Sequence, residues 1–274
     1  MFADLHIHSW YSDGTLNPEE IVKKAKTQNI NLISICDHNL IDAYAELEKL
    51  CADNDIKFIT GVEINALMDD TDYHILAYGF DMQDKDLTEL LKYNRNVFID
   101  MGNKLIEKIS ADYPSVSLKE YLKYERNRRN GGWESIDYLI SKRIIENHSD
   151  FHDFRKKYGA SPDKDFLSPV EVIKIIHNAR GYAILAHLGL YNEDNIKDCE
   201  NTATQFSNMG IDGFECYYPL HTDEITSFIV NFCRERDLMI TAGSDEHGGF
   251  NGEEFYIGAV KIKIEQLNLK NLIK

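Results

Sequence analysis

The sequence predicts an α/β fold, a distorted and incomplete (β/α) barrel interrupted once by a helical insertion. Three observations predict it. Short apolar runs alternate with stretches of helical spacing through residues 1–81 and again through 169–274. His, Asp and Glu recur where those apolar runs end, and residues 82–168 show helical spacing without intervening strands. An open doubly wound sheet is the alternative arrangement of the same elements.

Residues 2–7 alternate apolar and polar side chains as a strand does, so His6 and His8 project from one face. Alone, such a pair is compatible with an exposed strand edge. With Asp13 following in a Ser-Asp-Gly turn, it supplies nitrogen and oxygen ligands for a metal. Asn17 and Pro18, followed by Glu19 and Glu20, mark a helix start. Residues 31–36 read as a strand leading to Asp37 and His38, 40–52 as a helix, and 57–62 as a strand ending at Glu63. Residues 73–80 alternate, with His74 inside the run. Helical patterns follow at 87–109, 118–124 and 136–145. Ser168 and Pro169 restart the alternation with a helix, then a strand at 182–186 ending at His187. A helix at 197–209, a strand at 212–216, a helix at 223–235, a strand at 238–242 and a last strand around 259–264 complete the chain. Asp245 and His247 lie in Gly243-Ser-Asp-Glu-His-Gly248, just past a strand. Parallel strands bring their carboxyl ends to one mouth, so these side chains are expected to converge.

Length and composition limit the functions. A chain of 274 residues with 43% hydrophobic content can bury a substantial core. With 46 Asp and Glu against 30 Lys and Arg, the net charge of -16 argues against duplex DNA and anionic membranes as partners. Cys36, Cys51, Cys199, Cys216 and Cys233 form no Cys-x-x-Cys and read as reduced core thiols. No apolar run reaches spanning length and no leader pattern is present, so a cytoplasmic protein is expected.

His6-Ile-His8, Asp37-His-Asn39, Gly61-Val-Glu63, Ala186-His187 and Ser244-Asp-Glu-His247, in that order, resemble the PHP (polymerase and histidinol phosphatase) superfamily of metal-dependent phosphoesterases. The segment from His8 to Pro18 and Tyr73-His-Ile-Leu-Ala-Tyr-Gly79 resemble its bacterial small-nucleotide branch. The resemblance implies the seven-stranded version of the barrel. It also implies two to three divalent ions, Mn, Fe or Zn. One would be held by His6, His8, Glu63 and Asp245, a second by Asp13, His38 and His247, and a third by Glu63 as a bridge with His74 and His187. Asp13 and Glu63 then belong to the catalytic centre, where metal-bound hydroxide attacks a phosphate ester. Amidohydrolase chemistry, histidinol phosphate hydrolysis and a noncatalytic metal-stabilised module are the alternatives.

The substrate is expected to be a small phosphorylated molecule, a nucleotide by resemblance, and the insertion is expected to cover the mouth. Residues 119–157 carry ten Lys or Arg against seven Asp or Glu, inverting the overall polarity. There Arg126, Arg128, Arg129 and Trp133 suit a phosphate clamp beside a stacking ring, or a solvated charge run. Family members carry an Arg-Pro-His-like segment in this region, where this chain has Gly131-Gly-Trp-Glu-Ser135. Tyr217-Tyr-Pro-Leu-His221 resembles a segment of the branch, so His221 could touch a phosphate or act as an acid. Asp37 is expected to hydrogen-bond an imidazole or an amide, and Glu215 either supports the site or is sheet-edge charge.

Overall fold

The computed structural model describes residues 1–159, 166–250 and 255–273, without the side chains of residues 149, 152, 153, 155 and 156. The strands are β1 (Phe2–Ile7), β2 (Ile30–Ile35), β3 (Lys57–Phe58), β4 (Gly61–Met68), β5 (Thr71–Tyr78), β6 (Tyr182–Leu185), β7 (Gly213–Tyr217), β8 (Met239–Ala242) and β9 (Ile262–Lys263). Between β1 and β4 lie α1 (Pro18–Thr27) and α2 (Tyr44–Asn54). After β5 come α3 (Lys85–Asp112), α4 (Leu118–Tyr121), α5 (Glu134–Ser141), α6 (His148–Tyr158) and α7 (Pro169–Asn178). The rest are α8 (Leu188–Tyr191), α9 (Ile196–Met209) and α10 (Asp223–Glu235).

Capping sets several helix starts. Asn17 with Glu20, and Ser168 with Glu171, form capping boxes in front of Pro18 and Pro169. Behind these caps, Ile21, Val22 and Ala25 of α1 and Val172, Ile173 and Ile176 of α7 are buried at helical spacing.

One sheet has the order β3-β2-β1-β9 and the other β4-β5-β6-β7-β8. Between them Leu5, Leu32, Leu76, Tyr78, Ile184 and Met239 form one buried cluster. Helices cover the outer faces through two further clusters, and Leu105, Ile106, Ile109, Tyr138 and Leu139 make a fourth among α3, α5 and their neighbours. Two isolated bridges, Ile7 to Glu246 and His38 to Glu63, join the sheets at their edges.

The mixed α/β character matches the sequence reading, but three details differ. Residues 57–63 are two strands. The chain leaves the first sheet after Phe58 and enters the second at Gly61, so Glu63 is near the start of β4. A Cβ at Gly61 would lie 2.2 Å from Ser34 Oγ, which makes glycine necessary at this crossing. Second, β5 runs antiparallel to both β4 and β6. His74, in its first half, is thereby at the level where β6 ends, and its carbonyl accepts from Ala186 N at 3.1 Å. Third, the last strand is only β9, antiparallel to β1.

Asp4 ties the chain's two ends together. Its buried carboxylate accepts from Ser244 N at 2.9 Å and Gly258 N at 2.7 Å. Asp4→Ala would strand both amides, so we expect a loss of about 2–4 kcal/mol. Urea unfolding should show it as a lower midpoint at unchanged slope; an unchanged midpoint would mean the tether contributes nothing.

Candidate metal centre

The bridge between the sheets and the centre of the site are the same residue. Glu63 N donates to Asp37 O at 3.3 Å and Glu63 O accepts from Asn39 N at 2.8 Å, which fixes its backbone between β2 and β4. Its side chain, 1% exposed, points into a ring of imidazoles. Oε2 lies 3.1 Å from His8 Nε2, 3.3 Å from His38 Nδ1 and 3.4 Å from His6 Nε2. Oε1 lies 3.0 Å from His74 Nδ1 and 3.2 Å from His187 Nε2.

The other bridge places the last loop. His8 N donates to Glu246 O at 2.9 Å and Asp245 N to His6 O at 2.8 Å, so Asp245 and His247 are laced to β1. Asp245 Oδ1 is 3.3 Å from His6 Nε2 and 3.1 Å from His8 Nε2. Asp13 Oδ2 is 3.5 Å from His247 Nε2 and 3.8 Å from His38 Nε2. Three overlapping groups have ligand atoms all within 4.8 Å of one another: His6, His8, Glu63 and Asp245; His8, Asp13, His38 and His247; and His38, Glu63 and His74. His187 joins the third through its contact with Glu63. All nine sequence-selected residues are thus in one place, and His74, with a 24% exposed side chain, lies at the rim.

These donors fit divalent cations. Imidazole nitrogens and carboxylates are mixed, and Nδ1 of His8, His38 and His187 is buried without a hydrogen-bond partner. Burial alone would raise the Glu63 carboxyl, yet His38, His6 and His74 outweigh it and hold it well below the usual range. Asp13 and Asp245 are depressed against burial by the same means. Burial works against the charge of His74 too, but Glu63 and Asp72 push its pKa up to about 10. His38, where burial dominates, falls to about 4.

Supporting residues orient these groups. His6 Nδ1 donates to Glu215 Oε1 at 3.0 Å, which turns Nε2 toward the cluster, and Glu215 Oε2 accepts from His187 N at 3.0 Å. Glu215 therefore supports the site. Asp37 accepts from Ser9 N at 2.7 Å, Ser9 Oγ at 2.6 Å and Ser12 Oγ at 2.5 Å, pinning the turn that presents Asp13. Tyr218, which the sequence reading passed over, donates to Asp245 Oδ2 at 3.2 Å. Its only signal was its place inside the Tyr217–His221 segment.

The residues expected to meet substrate also make contacts within the chain. His221 Nδ1 faces Cys216 O at 3.3 Å and its Nε2 accepts from Gly189 N at 3.1 Å. Both nitrogens face backbone groups, so His221 positions the turn after His187. Arg126 donates to the carbonyls of Gly132, Trp10 and Ser12. Arg129 pairs with Glu20 and lies 4.8 Å over Trp10, and Arg128 lies 5.1 Å over Tyr11. This cluster grips the Trp10–Thr15 loop, as does Gly132 N, which donates to Asp13 O at 2.7 Å. Gly132 has φ +66, and a Cβ there would meet His148 Nε2 at 2.6 Å. Trp133 does reach the site, its ring 5.9 Å from His38 and stacked on Phe98 at 4.5 Å.

Residues 4–214 match the PHP domain family. A 5'-3' exoribonuclease of Haemophilus influenzae is 30% identical over 252 residues, 89% of each chain. A 3',5'-nucleoside bisphosphate phosphatase of Chromobacterium violaceum is 25% identical over 263 residues, 91% of this chain and 88% of that one. A Bifidobacterium adolescentis crystal structure classed with metal-dependent phosphoesterases superposes with a TM-score of 0.81 at 24% identity, covering 96% of this chain and 93% of that one. At that identity the superposition speaks for the fold.

Because the ligands converge only in the folded chain, Mn or Zn added to chelator-stripped protein should raise its melting temperature. At about 100 times the dissociation constant the gain is ~2.7 kcal/mol. Against burial, the neighbouring carboxylates raise His6, His8, His74 and His247, so an ion bound by them would displace their protons. The half-saturating metal concentration should therefore fall as pH rises, and Glu215→Gln should weaken affinity about 10–100-fold. Calorimetric titration checks both, and a pH-independent affinity would contradict this assignment.

Proposed function

The chain belongs to the PHP domain family, and on that premise we propose that it is a metal-dependent phosphoesterase hydrolysing phosphate esters of small nucleotides. The convergence of nine His, Asp and Glu side chains around Glu63 carries this reading. We assign His6, His8, Glu63 and Asp245 to one ion, Asp13, His38 and His247 to a second, and His74 and His187 to a third that shares Glu63. Divalent ions in such a site supply Lewis acidity and an activated water. The protein's part is to hold the donors: Glu215 fixes the His6 ring, Asp37 fixes the Asp13 turn, and Tyr218 steadies Asp245. Substrate enters over His74 and Trp133, the exposed edge of the cluster.

We read β1, β2 and β4 to β8 as a distorted seven-stranded barrel, a reading supported by the two bridges at the ligand-bearing ends. Residues 82–168 are proposed as an insertion over its mouth, supported by the separate apolar cluster of α3 and α5. Arg128, one of the arginines that the sequence offers for a phosphate clamp, is the candidate in that insertion for a substrate phosphate other than the one cleaved. The substrate class, a nucleoside mono- or bisphosphate or a short oligonucleotide end, follows from the two named relatives. Duplex DNA is not proposed as a partner, given the charge of -16. No helix among the described residues is long and apolar enough to cross a membrane. Five buried free thiols suit a reducing, cytoplasmic setting.

The test is a screen of metal-loaded protein against nucleoside monophosphates, 3',5'-bisphosphates, 5'-phosphorylated oligonucleotides and histidinol phosphate. Turnover of the nucleotides supports the proposal; turnover of histidinol phosphate alone selects the alternative enzyme, and none at all the noncatalytic module. Metal analysis should find two to three ions per chain, and Glu63→Gln should lower the rate by roughly a hundredfold or more, exceeding the loss in His74→Ala. A Glu63 variant with unchanged rate would remove Glu63 from the centre.

A further inference from the structure

Behind Trp133 lies a cavity of about 300 Å³ within the α3–α5 helices, lined by Arg95, Phe98, Leu105, Tyr121, Tyr124 and Trp133. Trp133 is the wall it shares with the cluster, since that ring is 5.9 Å from His38 and stacks on Phe98 with 7° between planes. The volume is at the lower end for small-molecule sites and suits one planar ring with part of a sugar. The cavity's charge balance excludes phosphate as the occupant. Its cation, Arg95, sits 3.5 Å from the Glu134 carboxylate, so the pair is neutral within walls that are mostly aromatic and aliphatic. An aromatic, uncharged ligand part is what these walls favour. The Arg95 guanidinium lies 5.8 Å over Trp133. Two rings stacked as a wall call for a planar ligand, and every nucleobase offers a π face.

We propose that this cavity seats the nucleobase of the nucleotide whose phosphate lies at the metal centre, with Phe98 and Trp133 as the stacking wall. The proposal rests on the phosphoesterase reading and adds to it a single-base specificity site. Because the wall is shared with His38, the base belongs to the nucleotide being cleaved and not to one further along a chain.

The test compares a nucleoside 3',5'-bisphosphate with the same sugar bisphosphate bearing hydrogen in place of the base. Metal-loaded wild type should prefer the nucleotide. In Phe98→Ala, the ratio of the two kcat/KM values should fall roughly 5- to 100-fold, chiefly through KM, the range expected for one stacked base. Phe98→Tyr should keep the ratio. Equal losses on both compounds, or a wild type indifferent to the base, would overturn the proposal. If wild type hydrolyses neither, the phosphoesterase reading fails, and the cavity is judged by binding alone. Quenching of tryptophan fluorescence by the nucleotide and not by its base-free analogue, lost in Phe98→Ala, then sustains it, and no difference between the two ends it.

Discussion

A single buried carboxylate governs this molecule. Glu63, 1% exposed, meets five imidazoles from four strands or strand ends and carries the backbone bridge between the two sheets. A charge so buried is tolerable only if compensated, and protonated imidazoles or cations are the available compensation. Fold and site are therefore one constraint: the sheets meet where the ligands must meet. Glycine at position 61, Asp37 O and Asn39 N all serve that junction.

The candidate ligands were legible in the sequence because His and acidic residues are rare at the buried ends of apolar runs. His6, His8, His38, His187 and Asp245 each stood out by that contrast, and the structure gathers them. Strand direction was not legible. Alternation reports which face a side chain takes and says nothing of whether a neighbour runs parallel, so the reversal of β5 that explains His74 had no local signal. Nor did the division of 57–63 into two strands. The change of sheet at Gly61 is set by the contact with Ser34, 27 positions away in the chain.

Arginine was the least legible residue type. A guanidinium satisfies carbonyls as readily as phosphates, and Arg126 binds the carbonyls of Trp10, Ser12 and Gly132 while Arg129 takes Glu20. The cluster thereby fastens the 82–168 helices to the loop that presents Asp13. Arg95 and Phe98 gave no signal because they lie within the 28-residue helix α3, whose spacing reads as ordinary packing. Only the tertiary placement of Trp133 against Phe98 separates them from the core.

The two compartments divide the recognition of a charged ring compound by dielectric and charge. The cluster sets three acids among imidazoles, and on the proposed reading the cations they hold would add the positive charge that receives a phosphate. The aromatic cavity carries a paired Arg95 and Glu134 and is indifferent to that charge. On that reading ion loading would control entry of the phosphate alone, while the ring would dock against Trp133 in either state. Trp133 stands where the two requirements meet, 5.9 Å from a proposed ligand on one side and stacked on the cavity wall on the other. A substrate offering only a phosphate or only a ring satisfies half of this arrangement, and a nucleotide satisfies both.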